Sequence, residues 1–217
     1  IPFLLKEKFS WVKAYEKIKT VLTIHNIAFQ GAMDPHVLRE LFGMDDTFYT
    51  NGALRLNDAL NFLKGGIIFA DKVNTVSPSY ALEIQTPEFG EGLDSVLRDN
   101  SYKLSGILNG IDYSINNPET DPYLPVHYSK DDLRGKKELK GLLQKKCGLM
   151  EDENVPLIGM VSRLTYQKGF HLVLERLEEI LQNDVQVVLL GTGMKEIEEG
   201  FSYYASKYPD KFRAILD

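Results

Sequence analysis

VPLIGMVSRLTYQKGFHLVLERLEEILQNDVQVVLL (155–190) is the stretch that decides the fold. Residues 155–161 and 185–190 are near-continuous apolar runs, which are typical of parallel strands covered on both faces. Between them, apolar residues recur at helical spacing on one face: Phe170, Val173, Leu174, Leu177, Ile180 and Leu181. A strand, a helix and a second strand in this order predict an α/β unit with a parallel sheet.

The first half of the chain shows the same alternation. Apolar runs at 20–25 (TVLTIH), 72–77 (KVNTVS) and 104–108 (LSGIL) predict strands. Residues 54–70 predict a helix, and a second helix is expected to open at a Ser-Pro pair and to run over 78–84. The sequence therefore predicts two α/β units, each with a parallel sheet.

A segment rich in turn formers, residues 109–125, separates the two units and is the best candidate for a domain boundary. After it, a helix is expected over 129–149, with Ser129 as its cap, and another over 197–208. The last residues, 212–217, indicate the opening of a strand. Because the chain starts without methionine and stops on an apolar strand, we expect it to be an excerpt of a longer protein.

Composition narrows the class of protein. The 217 residues are 43% hydrophobic and 26% charged, as in ordinary globular proteins. The formal net charge of −6 argues against nucleic acid as a partner. A single cysteine, Cys147, excludes an intrachain disulfide and suits a reducing, cytoplasmic compartment. No apolar run approaches the ~20 residues that span a bilayer, so no membrane association is expected.

The most distinctive polar segment is SRLTYQKG (162–169), which joins a predicted strand to a predicted helix. Ligands bind beyond the carboxyl ends of strands in open parallel sheets. Arg163 and Lys168 flank this turn, and with the N-terminus of the helix they could hold a diphosphate. The alternative is a surface loop with two solvated cations, and spacing alone leaves both interpretations open.

Other candidates are weaker. Gly191-Thr192-Gly193 follows the next strand and could admit a nucleotide, although a plain strand-to-helix turn explains it equally well. His25 ends the first strand and by default is a structural histidine. Asn26 and Asn109 could be turn residues only.

Taken together, five segments resemble the glycogen and starch synthases. They are TVLTIHNIAFQG (20–31), LKGGIIFADKVNTVSPSYALEI (63–84), LSGILNGID (104–112), PETD (118–121) and PLIGMVSRLTYQKGFHLVLE (156–175). Each segment is only moderately specific, but the five occur in collinear order. The resemblance implies an α/β fold of the GT-B type, with parts of two Rossmann-like domains and parallel sheets.

The resemblance also implies an activity. Family members transfer glucose from ADP-glucose to the non-reducing end of an α-1,4-glucan, such as glycogen or starch, with retention of configuration. They need no metal and no cofactor, since ADP-glucose is a substrate. By family motif, residues 1–112 would be the C-terminal portion of the N-terminal starch-synthase catalytic domain and residues 113–128 an interdomain linker. Residues 129–217 would be the N-terminal portion of the C-terminal nucleotide-sugar-binding domain.

Site residues follow by the same resemblance. His25 and Asn26 match the His-Asn pair that lines the donor-sugar side of the cleft, and Asn109 matches the Asn of the LNG-x-D motif near the sugar. Arg163 and Lys168 match the pair that holds the donor diphosphate and helps it leave. Two further elements are implied near the donor: Gln167 and the glycine turn Gly191-Thr192-Gly193.

The chain also departs from the family pattern. Neither the N-terminal Lys-x-Gly-Gly loop nor the later glutamate motif of the C-terminal domain occurs in residues 1–217. We therefore expect this piece alone to be inactive, and a robust glucose-transfer rate would contradict that. Partial sheets also leave edges and apolar faces exposed, so self-association is expected.

Three other classes remain as alternatives. Another GT-B glycosyltransferase, such as a sucrose synthase or phosphorylase relative, would share the fold but differ in substrate. A non-catalytic glucan-binding protein would need no diphosphate grip. A dehydrogenase ranks last, because Glu196 stands where the dinucleotide fingerprint has its third glycine. The residues do not decide between ADP-glucose and UDP-glucose, between glycogen and starch as product, or among oligomeric states.

Overall fold

The computed structural model describes residues 1–216. Its contacts divide the chain into two compact units, residues 1–110 and residues 111–217. The predicted linker, 113–128, lies within the second unit, and the names given to the predicted domains stay predictions. Residues 111–133, all of them described, form neither helix nor strand. Asx turns shape this stretch: the side chains of Asp112, Asn117 and Asp121 each accept from the main-chain N–H two residues further on.

A parallel sheet forms the centre of the first unit. Its strands are β1 (Val21–Ile24), β5 (Lys72–Thr75) and β6 (Leu104–Gly106), in the order β1-β5-β6. Val21 pairs with Lys72 and Val73 with Leu104, so β5 is the central strand. The core against this sheet includes Ile24, Ile67 and Leu97. All three strands were predicted from the sequence, and the parallel arrangement is confirmed.

A second, antiparallel sheet in this unit was not predicted. Its strands are β2 (Ala32–Met33), β3 (Arg55–Leu56) and β4 (Ala59–Asn61), in the order β2-β4-β3. The helices of the unit are α1 (Pro2–Lys6), α2 (Val37–Glu40), α3 (Thr47–Thr50), α4 (Phe62–Phe69), α5 (Pro78–Glu83) and α6 (Asp94–Asp99). α5 begins as predicted, because the side chain of Ser77 accepts from the N–H of Tyr80 and Pro78 occupies the first turn.

The predicted helix over 54–70 is wrong in its first half. Residues 54–61 form a hairpin, and α4 begins only at Phe62. Asn57 and Asp58 both adopt positive φ, 48° and 60°, as a tight two-residue hairpin turn requires. The hairpin buries Leu54 and Leu60 in a small core with Phe3, and this burial outweighs the helical spacing of the apolar residues.

The second unit is a three-layered α/β arrangement around one parallel sheet. The strands are β7 (Leu157–Val161), β8 (Gln186–Leu190) and β9 (Phe212–Ile215), in the order β7-β8-β9. The helices are α7 (Arg134–Lys146), α8 (Phe170–Gln182) and α9 (Lys195–Lys207). The predicted helical face is confirmed, since Phe170, Leu177 and Leu181 join the core with Phe201 and Phe212.

The helix predicted over 129–149 is shorter at its start. The hydroxyl of Ser129 accepts from the N–H groups of Asp131 and Asp132, so it closes a turn and does not cap a helix. α7 begins at Arg134 and ends before Gly148, whose φ of 70° suits glycine. No helix in the described part of the chain is long and apolar enough to cross a membrane.

Candidate functional site

The loops that follow β7 and β8 are tied together by main-chain hydrogen bonds. The N–H of Ser162 donates to the carbonyl of Leu190 at 3.2 Å, and the N–H of Leu164 donates to the carbonyl of Thr192 at 3.0 Å. The N–H of Met194 returns to the carbonyl of Leu164 at 2.9 Å. Leu164 itself is fully buried. The two loops therefore continue the pairing of the strands beyond the end of the sheet.

This close approach requires the glycines of the predicted turn. A Cβ added to Gly191 would overlap the carbonyl oxygen of Ser162, and one added to Gly193 would overlap the carbonyl oxygen of Leu164. Main-chain oxygens cannot move away as a flexible side chain can. Gly191 and Gly193 thus have a structural reason in this fold, whatever else they contact.

Glu198, in the first turns of α9, holds the same turn from the other side. Its Oε1 accepts from the N–H of Gly193 at 2.6 Å and from the hydroxyl of Thr192 at 2.8 Å. The bond from Gly193, and to a lesser extent that from Thr192, lowers the pKa of the Glu198 carboxyl below its usual range. Glu198 was not predicted as a site residue, although an acidic residue in the first turns of a helix after a glycine turn is a readable signal.

The two predicted phosphate-binding cations, Arg163 and Lys168, lie on the loop between β7 and α8. Arg163, Gln167 and Lys168 are exposed, and within residues 1–216 neither Arg163 nor Lys168 forms an ion pair or a side-chain hydrogen bond. Gln167 and Lys168 belong to a short 3-10 turn, which ends at Gly169 with a φ of 75°. Such a left-handed residue lets the chain turn directly into α8.

Three side chains meet at the first residue of this turn, Tyr166. The ring of Tyr166 packs on that of His171 with centroids 5.0 Å apart. The Glu196 carboxylate, through hydrogen bonding and charge, raises the pKa of the Tyr166 hydroxyl. Nδ1 of His171 is buried and has no hydrogen-bond partner within residues 1–216.

In the first unit, His25 and Asn26 lie on the loop after β1. His25 is exposed, whereas its neighbours Ile24 and Ile27 are buried. The side chain of Asn26 accepts from the N–H of Ala28 at 3.0 Å, so its oxygen is engaged in the turn. The N–H of Ile27 donates to the hydroxyl of Tyr80 at 3.2 Å, which fixes this loop on α5.

A second anchor of this loop was missed from the sequence. Asn61 caps α4 through the N–H of Lys64 at 2.8 Å, and its Nδ2 donates to Oε1 of Gln30 at 2.7 Å. The N–H of Leu63 donates to the carbonyl of Gln30 at 3.0 Å. The loop after β1 is therefore bound to the N-terminus of α4. An asparagine before an apolar helical run is a common cap signal.

Asn109 lies just beyond β6 and is exposed. It lines a shallow cavity of about 150 Å³ at the carboxyl ends of the sheet strands. Thr23, Asn74 and Thr75 line the same cavity together with the apolar Val76, Ile107 and Leu108, so its lining is mixed. The hydroxyl of Thr75 donates to the carbonyl of Ile24 at 2.7 Å and fixes β5 on β1 at this point. The cavity lies where ligands bind in open parallel sheets.

The predicted residues thus fall in both units. His25, Asn26 and Asn109 belong to residues 1–110, and the other six belong to residues 111–217. In each unit they lie at the carboxyl edge of a parallel sheet. Among residues 1–216, no group of three or more His, Cys, Asp or Glu side chains is placed to hold a metal ion.

Comparisons with known proteins agree with this architecture. A family model described as "Starch synthase catalytic domain" matches residues 1–99. The chain is 63% identical over 216 residues to a glycogen synthase of Lactococcus lactis and 56% identical over 216 residues to one of Streptococcus mutans. Each match covers 100% of this chain but 45% of the relative, so the chain spans about half the length of the curated relatives it matches.

A solved structure gives the same result. The catalytic domain of starch synthase IV from Arabidopsis thaliana, bound to ADP and acarbose, matches with a TM-score of 0.88 and 36% identity. The match covers 100% of this chain and 45% of that one. The chain therefore has an α/β fold of the GT-B type, as predicted. Within that fold, the whole chain is similar to bacterial glycogen synthases, and its first 99 residues match the starch synthase catalytic domain.

Proposed function

We propose that the protein is a glycogen or starch synthase, which transfers glucose from ADP-glucose to the non-reducing end of an α-1,4-glucan with retention of configuration. The names of the relatives support this activity, and the bound ADP and acarbose of the structural neighbour support a nucleotide donor and a glucan acceptor. Since this chain covers 45% of those relatives, the activity is assigned to the whole protein.

The observation that carries the proposal is the unpaired state of Arg163 and Lys168 within the described residues. Cations without a protein partner beside a glycine turn are suited to bind an anionic ligand. In the proposed reaction, the bond between the glucosyl carbon and the diphosphate breaks, and negative charge grows on the departing oxygen. Arg163 and Lys168 would stabilise this charge in the transition state, so both are proposed as catalytic residues.

The other predicted residues take supporting roles in the proposal. Gln167 would reach the donor between the two cations, and the turn of Gly191, Thr192 and Gly193 would lie near the nucleotide. These residues share one loop pair, which the hydrogen bonds between Leu164, Thr192 and Met194 hold together.

Residues of the first unit would act on the donor sugar. We assign His25 a catalytic position, because it directly follows a strand of the parallel sheet and its side chain is exposed. Asn26 and Asn109 would bind sugar hydroxyl groups. For Asn109 the cavity beyond β5 and β6 supports this role, since Thr23, Asn74 and Thr75 offer hydrogen-bonding groups there.

The proposal includes no metal and no cofactor, because ADP-glucose is the substrate that carries the leaving group. It includes no nucleic acid or membrane partner and places the protein in the cytoplasm, in agreement with the family. The net charge of −6 supports the exclusion of nucleic acid.

Binding of ADP measured by calorimetry tests the proposal. Arg163→Ala and Lys168→Ala should each weaken binding about tenfold or more, since each removes a charged contact to phosphate. Arg176→Ala is the matched control, because Arg176 is an exposed cation on α8 that pairs with Glu179 at 2.8 Å. An unchanged dissociation constant in both loop variants would contradict the proposal. In the whole protein, the two loop variants should transfer glucose more slowly than the wild type and than Arg176→Ala.

A further inference from the structure

Glu198 forms hydrogen bonds within the candidate site, and the roles proposed above do not account for them. It lies on α9, it is half-buried, and its carboxylate bonds the glycine turn instead of a cation. Its neighbour Glu199 is exposed and faces Lys195 at 3.7 Å, which is an ordinary surface pair. The two adjacent glutamates therefore differ in what they hold.

The hydrogen bonds of Glu198 connect, through the glycine turn, to the loop after β7 that carries Arg163 and Lys168. Its Oε1 fixes Thr192 and Gly193, and the carbonyl of Thr192 accepts the N–H of Leu164 at 3.0 Å. The carbonyl of Leu164 in turn accepts the N–H of Met194 at 2.9 Å. Leu164 follows Arg163 directly in the chain. A change in the glycine turn must therefore move the main chain that carries Arg163.

We propose that Glu198 is a positioning residue of the donor site, which sets the place of Arg163 through the Thr192–Gly193 turn and the main chain of Leu164. The inference rests on the proposed function. It adds that the N–H of Gly193 is occupied by a carboxylate, so the turn does not bind the diphosphate through this donor. The diphosphate is held by Arg163 and Lys168, and Glu198 fixes the frame in which they act.

Three variants of the whole protein test this role: Glu198→Ala, Glu198→Gln and Glu199→Ala. The amide oxygen of glutamine can accept the same two hydrogen bonds, whereas alanine accepts none. We expect Glu198→Ala to weaken ADP binding about tenfold and to raise the KM for ADP-glucose in proportion. Glu198→Gln should stay within about threefold of the wild type, and Glu199→Ala should not differ from it.

Calorimetry separates this role from a loss of folding. If Glu198→Ala only unfolded part of the sample, the number of binding sites would fall while the dissociation constant of the folded part stayed the same. A raised dissociation constant supports positioning. An unchanged constant in Glu198→Ala, or equal losses in the alanine and glutamine variants, would overturn the inference.

The same titrations separate the inference from the function on which it rests. If wild-type protein binds ADP and Arg163→Ala weakens that binding, the proposed function stands, and Glu198→Ala then decides the inference alone. If wild-type protein does not bind ADP, or if Arg163→Ala and Lys168→Ala bind it as the wild type does, the proposed function fails and the inference fails with it.

Discussion

The carbonyl oxygen of Thr192 accepts the main-chain N–H of Leu164 at 3.0 Å, and this bond joins the loop after β7 to the loop after β8. Because it involves main-chain atoms only, its geometry depends on the backbone positions of the two loops and not on a rotamer. The exposed cations of the first loop are thus held by the glycine turn of the second. We therefore expect a change in the glycine turn to shift the main chain that carries Arg163 and Lys168.

Gly191→Ala tests this coupling. The added methyl group would overlap the carbonyl oxygen of Ser162, so the two loops must separate. We expect the free energy of unfolding to fall by about 2 kcal/mol or more, and ADP binding to weaken, measured by urea denaturation and calorimetry. Gly159→Ala is the control, since nothing lies within 4 Å of its added Cβ, and its stability should change by less than about 0.5 kcal/mol. Equal effects at the two positions would contradict the prediction.

The hairpin turn at Asn57 and Asp58 offers a stabilising change. Asp58 has a φ of 60°, a region that glycine enters without steric cost. Asp58→Gly should raise the free energy of unfolding by about 0.5 kcal/mol, and Asp58→Ala should lower it by a similar amount. Both variants remove the same carboxylate, so the difference between them isolates the backbone effect. A more stable alanine variant would show that the turn does not control this hairpin.

Asp71 should make stability depend on acid pH. Its carboxylate accepts from the N–H of Thr20 at 2.8 Å, from the Thr20 hydroxyl at 3.0 Å and from Lys6 at 3.1 Å. These bonds, the first above all, hold the pKa of Asp71 well below its usual range. A lowered pKa in the folded state means that the carboxylate stabilises the fold above the unfolded pKa of about 3.9, and that this contribution is lost as the pH falls towards the folded pKa.

Asp71→Asn should therefore cost about 1 kcal/mol at pH 7, and the difference from the wild type should shrink below pH 4. Chemical denaturation at several pH values measures this. Asp99→Asn serves as the control, because Asp99 is exposed and makes no ion pair within residues 1–216. A difference for Asp71→Asn that is constant from pH 3 to pH 7 would be inconsistent with this role.

Self-association of the isolated chain remains a prediction, and β7 is the strand on which to test it. β7 lies at one end of the order β7-β8-β9, and its last residue, Val161, is 77% exposed. A lysine on an edge strand opposes pairing with another chain. Val161→Lys should shift sedimentation towards the monomer. Leu172→Lys, at a 59% exposed position on α8, should have a smaller effect. A wild-type chain that sediments as a sharp monomer would count against association.

The strands of the parallel sheets were the part of the fold that the sequence predicted well. TVLTIH, KVNTVS and VQVVLL contain β1, β5 and β8, of which β5 and β8 are the central strands of their sheets. The helix α8 was equally readable, since Phe170, Leu177 and Leu181 repeat at the helical period and are buried. Local pattern and tertiary burial agree at these positions.

The predictions were wrong where the local sequence pattern and the burial in the folded unit disagree. Leu60 fits a helical period with Leu63, but Leu54 and Leu60 belong to a hairpin whose turn depends on the left-handed conformations of Asn57 and Asp58. Ser129 looked like a cap, yet its hydroxyl is used in a turn before α7. In the candidate site, Arg163 and Lys168 were singled out from the sequence and stay predictions. Glu198 was missed because only the folded turn brings its carboxylate onto the hydroxyl of Thr192 and the N–H of Gly193.

The glycines of this chain differ in the atoms that an added side chain would meet. This difference determines which substitutions related sequences can accept. A Cβ at Gly200 would meet the side chain of Leu174, so a smaller residue at 174 could accompany a larger one at 200. A Cβ at Gly191 or Gly193 would meet main-chain oxygens, which are the same for every residue type. No paired substitution can make room there. Gly191 and Gly193 should therefore change only with an altered loop length, and libraries that diversify this site should keep both fixed.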